Sequence, residues 1–107
     1  MNRDQRRYDG LQRIGCIACW LMGYPGVPCD IHHLVDKGNR KASGGNQATI
    51  GLCPWHHRSV VSAGRNAVYM RAMYGPSLAL EAKQFHAQYG SQRELLAKVN
   101  ELLRESC

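Results

Sequence analysis

A chain of 107 residues with a formal net charge of +6 and a pI near 9.3 has room for one thin core and favours an anionic partner, most commonly nucleic acid. No stretch is long and apolar enough to span a membrane, and the polar opening Met1-Asn2-Arg3-Asp4-Gln5-Arg6-Arg7 has no apolar run behind it. A membrane role and a secretory leader are therefore set aside, and a reducing, cytoplasmic setting is expected. There, five cysteines point to metal rather than to a disulfide scaffold.

Residues 1–13 carry Arg3, Arg6, Arg7 and Arg13, with Tyr8 and Leu11 as one weak helical face. This reads as a solvated, partly frayed basic helix or as an arm for a DNA backbone. Cys16-Ile17-Ala18-Cys19 opens a turn-rich knuckle punctuated by Gly23, Pro25, Gly26 and Pro28. Asp30 to Val35 has strand character, residues 37–47 form a polar, flexible loop bearing Lys37, Arg40 and Lys41, and Ala48 to Leu52 reads as a second strand, which makes a hairpin. Pro54 suits the first turn of a helix carrying His56, His57 and Arg58, with a break at Gly64. A further helix over Asn66 to Tyr74 places Tyr69, Met70, Met73 and Tyr74 in the core, and Ser77 caps another with Leu78, Ala82, Phe85 and Tyr89 inward. Ser91-Gln92-Arg93-Glu94 is a capping box opening a last helix with Leu95, Leu96, Val99, Leu102 and Leu103 on one face.

Two short knuckles, Cys16-x-x-Cys19 and Cys53-x-x-His56, supply four soft donors, the set a tetrahedral structural zinc wants. Cys29 is an alternative to His56 as the fourth ligand, and a pair of buried thiols or a disulfide is the alternative to zinc. Cys107 reads as a free tail cysteine.

With His56 committed, His57 faces about 100° away along the helix. His32 and His33 point to opposite faces of a regular strand. One of them can join His57 on a second, divalent metal while the other takes a proton from water, a division of labour that suits phosphodiester cleavage. A surface strand pair that merely binds phosphate or a structural ion is the plainer alternative. Arg58, Lys37, Arg40 and Lys41 are candidate contacts to a DNA backbone, and His86 reads as an ordinary helix-surface histidine.

Asp30-Ile31-His32-His33-Leu34, a loop, then Leu52-Cys53-Pro54-Trp55-His56-His57-Arg58 resembles an HNH, or His-Me finger, nuclease. With Cys16-x-x-Cys19, Thr49-Ile50-Gly51 and Met73-Tyr74-Gly75-Pro76-Ser77-Leu78, the stretch from about residue 15 to 90 is most similar to the phage recombination-enhancement (Ref) nucleases. The resemblance implies His33 as general base, His32 and His57 as ligands of Mg²⁺ or another divalent cation, and Cys16, Cys19, Cys53 and His56 as zinc ligands, His56 standing where a cysteine is commoner. It implies Asn46 as the middle Asn of the pattern, set further upstream than usual. It further implies DNA as substrate and stimulation by a RecA-type recombinase filament.

The expected fold is a small α+β domain over residues 1–107. It comprises a basic segment (1–14), a zinc knuckle with a ββα-metal core (15–64) and helical support (65–107). The expected function is a metal-dependent DNA endonuclease, and the alternative is a non-catalytic, zinc-stapled nucleic-acid-binding module.

Overall fold

The computed structural model describes residues 2–105, so the tail thiol of Cys107 lies outside the described residues. Helix α1 (Arg3–Ile14) is followed by the short helix α2 (Ile17–Leu21), strand β1 (Asp30–His33) and strand β2 (Thr49–Leu52). Helices α3 (Pro54–Arg58), α4 (Ala67–Tyr74), α5 (Ala82–Tyr89) and α6 (Gln92–Glu105) complete the chain. The class is α+β: an antiparallel hairpin, with Asp30 opposite Leu52 and His33 opposite Thr49, runs straight into α3. The other helices pack around that ββα unit. No helix among the described residues is long and apolar enough to cross a membrane.

Strand β2 is buried along its whole length and β1 only half-buried, because α1, α2 and α6 all pack on β2. The core joins Leu11 of α1, Ile17 of α2, Ile50 and Leu52 of β2, Phe85 of α5, and Leu95 and Val99 of α6. The capping box forms as read: Ser91 Oγ accepts from Glu94 N at 3.1 Å, and Glu94 Oε1 accepts from Ser91 N at 3.0 Å.

Several expectations are corrected. Helix α1 is docked rather than frayed: Asn2 caps it, and it buries Arg7, Gly10 and Leu11. Arg7 donates to the Thr49 side chain (2.7 Å), the Thr49 carbonyl (2.6 Å) and Asn100 Oδ1 (2.8 Å), so a buried cation with polar partners ties α1 to β2 and α6. The hairpin loop is built rather than flexible. Asn39 Oδ1 accepts from Ala42 N at 2.8 Å, and the buried Ser43 accepts from Lys37 N at 3.0 Å.

Helix α3 stops after Arg58, well short of Gly64, because Ser59 turns left-handed at φ 60°. In α4 Met70 is buried and Tyr69 and Tyr74 are half-buried, but Met73 is 53% exposed, so it leaves the expected core. Helix α5 starts at Ala82, not after Ser77, whose hydroxyl accepts from Leu80 N in a preceding turn.

Candidate metal centre and histidine cluster

Cys16 and Cys53 occupy equivalent positions, each the N-cap of a five-residue helix. Cys16 Sγ accepts from Cys19 N at 3.4 Å and Cys53 Sγ from His56 N at 3.5 Å. Each knuckle is thus a capping sulfur followed, one turn on, by a second donor on the same side. The four donor atoms of Cys16, Cys19, Cys53 and His56 lie within 4.8 Å of one another. Cys19 Sγ is 3.9 Å from Cys53 Sγ, and His56 Nδ1 is 3.5 Å from the sulfurs of Cys16 and Cys19 and 3.2 Å from that of Cys53. Ordinary tetrahedral zinc bonds set sulfurs about 3.8 Å apart and sulfur and nitrogen about 3.6 Å apart. The group therefore fits a zinc-like ion.

The surroundings fix the ligand imidazole. His56 is fully buried, and its Nε2–H donates to the Tyr74 carbonyl at 2.7 Å, which leaves Nδ1 bare toward the sulfurs. Tyr89 Oη donates to the same carbonyl at 2.8 Å. Gly75, at φ 82°, permits this, since a β-carbon there would lie 2.6 Å from Tyr89 Oη.

Burial alone would lower the His56 pKa, but hydrogen bonds with Cys16 and Cys53 outweigh it and push it up to about 10. Hydrogen bonds with Cys16 and Cys53 push the Cys19 thiol up, while those from Cys16 and Cys19 pull Cys53 down. The donors compete for protons, a competition that a dication ends by letting every sulfur ionise. Cys29 stands apart, half-buried, with its sulfur 3.7 Å from the Leu11 carbonyl and burial pushing its thiol up to about 11. His56, not Cys29, completes the group.

The second cluster lies across α3. Asp30 and His32, two apart on β1, project from one face of the strand, and there they meet His57. Asp30 Oδ2 accepts from His57 Nδ1 at 3.2 Å and from Arg58 Nε at 2.9 Å. His57 Nε2 lies 3.1 Å from His32 Nδ1, with the rings edge to face. Because Asp30 takes the Nδ1 proton of His57, a proton or a cation must lie between the two facing nitrogens. Burial, then the charge of His57, lowers the His32 pKa to about 4, so that ring is neutral at physiological pH. Burial would raise the Asp30 pKa, but hydrogen bonds from His57 and Arg58 hold it below the usual carboxylate range.

His33, the next residue on β1, turns the other way and meets the hairpin loop. Its Nε2 is 2.9 Å from Asn46 Oδ1. Asn46 Nδ2 in turn donates to Asp4 Oδ2 at 3.1 Å, and Gln47 Nε2 to Asp4 Oδ1 at 2.9 Å. The structure thus brings His32 and His57 together on one side and His33 and Asn46 on the other. Arg58 is tied to Asp30 through Nε alone and stays 58% exposed. Lys37, Arg40 and Lys41 are exposed along the hairpin loop. His86 is held by the Gly90 carbonyl, 2.9 Å from its Nδ1.

The family model described as "Recombination enhancement, RecA-dependent nuclease" matches residues 2–104. The chain belongs to this family. The match to the RecA-dependent nucleases takes in both clusters and every helix from α1 to α6, beyond the stretch that the motifs cover. Two contributors to the clusters escaped the reading of the sequence. Asp30 was legible, because the alternation Asp30-x-His32 puts a carboxylate on the same strand face as a histidine. Asp4 was not, since only the docking of α1 brings it to Asn46, 42 residues away.

Proposed function

We propose that this chain is an HNH-type, metal-dependent DNA endonuclease of phage or prophage recombination. In this reading its Cys16–Cys19–Cys53–His56 group holds a structural zinc and a RecA-type filament presents or activates its substrate. The observation that carries the reading is the hairpin and helix bearing His33, Asn46 and His57 in that order, with His33 next in the chain to His32, whose Nδ1 faces His57 Nε2. His32 and His57 would hold the divalent ion, which when bound neutralises the scissile phosphate and stabilises the leaving oxygen.

His33 takes a proton from the attacking water, and Asn46 holds its ring. Asp30 orients His57 by accepting its Nδ1–H, and Arg58, with one nitrogen on Asp30, has the rest of its guanidinium free for a phosphate. Lys37, Arg40 and Lys41 contact the backbone without reading sequence. The RecA-dependent family supplies the support for a filament partner.

The test is plasmid nicking by the zinc-loaded protein with Mg²⁺ and with Mn²⁺, repeated on recombinase-coated DNA. Imidazole ligands favour the softer ion, so the faster rate is expected with Mn²⁺. His33→Ala should keep its zinc and its circular dichroism while losing roughly 10²–10⁴ in rate. If the wild type cuts neither substrate, the zinc-stapled binding module becomes the better reading.

A further inference from the structure

Asp4 lies on the N-terminal helix, outside every motif, yet both of its carboxylate oxygens are committed to the loop that carries Asn46. A carboxylate can only accept hydrogen bonds. The Asn46 amide must therefore turn its Nδ2 toward Asp4, which points Oδ1 at His33 Nε2, 2.9 Å away. An acceptor there requires the proton of a neutral His33 to sit on Nε2, leaving the Nδ1 lone pair for the substrate side. Without Asp4 the Asn46 amide can flip, and His33 can then adopt either tautomer.

A second tie from the same helix face fixes the backbone of Asn46. Thr49 Oγ1 donates to the Asn46 carbonyl at 2.9 Å, and Arg7, three residues after Asp4, donates to Thr49 Oγ1 at 2.7 Å. We infer that Asp4 is a positioning residue for the His33 base: through Asn46 it sets which ring nitrogen carries the proton. The relay Asp4–Asn46–His33 makes α1 part of the catalytic apparatus rather than only a cover for β2. Asn46 and Gln47 hydrogen bonds hold the Asp4 carboxyl below its ordinary range, as expected of a charged acceptor. The inference rests on the proposed role of His33, but its structural half, the tautomer, can be read without any activity.

Two measurements on the full-length, zinc-loaded protein test it, with melting temperature and zinc content as controls. Long-range proton–nitrogen correlation spectra of the histidine rings should show His33 as the Nε2–H form in the wild type and as a mixture in Asp4→Ala. An unchanged His33 pattern in Asp4→Ala overturns the inference, whether or not the protein cuts DNA. If the wild type cleaves, Asp4→Ala should lower kcat by roughly 10- to 100-fold with KM within about twofold, as expected for a misplaced base.

Exchanging the two side chains separates positioning from general damage. Asn46→Asp alone sets two carboxylates against each other and should lower kcat at least as far. In Asp4→Asn/Asn46→Asp the new amide can donate to residue 46 while accepting from Gln47, so the relay is rebuilt with its charge moved next to His33. The double variant should recover most of the loss and shift the pH profile of kcat, because His33 then faces a carboxylate. A double variant no faster than Asn46→Asp alone overturns the inference.

Discussion

On one side of α3 the buried His56 faces three sulfurs, and on the other the half-exposed His57 faces His32 and Asp30. In the buried cluster each donor is placed by backbone: capping sulfurs at the starts of α2 and α3, and a carbonyl behind the imidazole. In the more exposed one the partners are other side chains. Rigid backbone support suits an ion that stays, and side-chain support suits one that comes and goes with substrate. Neighbouring positions on one short helix serve both ends because they point about 100° apart.

The largest effect should come from the buried side. Cys19→Ala, or a strong zinc chelator, should unfold the chain, since a structural zinc site of this kind carries on the order of 10 kcal/mol at neutral pH. Loss of helical circular dichroism together with zinc release would show it. A protein that keeps its fold after zinc is stripped would break the comparison, because the buried cluster would then be no more structural than the exposed one. His33→Ala should do the converse, with rate lost and fold kept.

A smaller effect sharpens the exposed side. Asp30→Asn keeps an oxygen near His57 but no longer compels the Nδ1–H tautomer. Affinity for Mn²⁺ should fall by about 10- to 100-fold, measured by calorimetry, while the zinc content stays as in the wild type. Equal weakening of both metals would mean that the two clusters are one mechanical unit.

How much of this was legible depends on how far apart the cooperating residues lie in the chain. The two knuckles are local, a donor three residues after a capping cysteine, and so the four-donor group could be read from spacing. The hairpin and the capping box at Ser91 are equally local and were read correctly. The end of α3 was missed because it depends on a left-handed Ser59, a conformation that residue type alone does not announce. The exposure of Met73 was missed because a helical stripe does not say which part of it a neighbour covers. Arg7 and Asp4 read as charge on a basic helix, and only tertiary docking turns one into a buried staple and the other into a partner of Asn46.

The smallest effect lies outside both clusters, where Arg93 of α6 grips Asp36 with Nε at 2.7 Å and Nη2 at 2.8 Å and also donates to the Ser43 carbonyl. The hydrogen bonds from Arg93 hold the Asp36 carboxyl below its usual range. Its folded pKa thus lies below the unfolded value of about 4, so the pair's contribution is present above that pH and fades as the pH falls through the depressed folded value. Asp36→Asn should therefore lower the melting temperature slightly near neutral pH, and the difference from wild type should shrink in about 1 M salt. A difference that persists unchanged in about 1 M salt would mean that Asp36 acts through the shape of the hairpin loop rather than its charge, and that the loop carrying Asn46 is braced by packing alone.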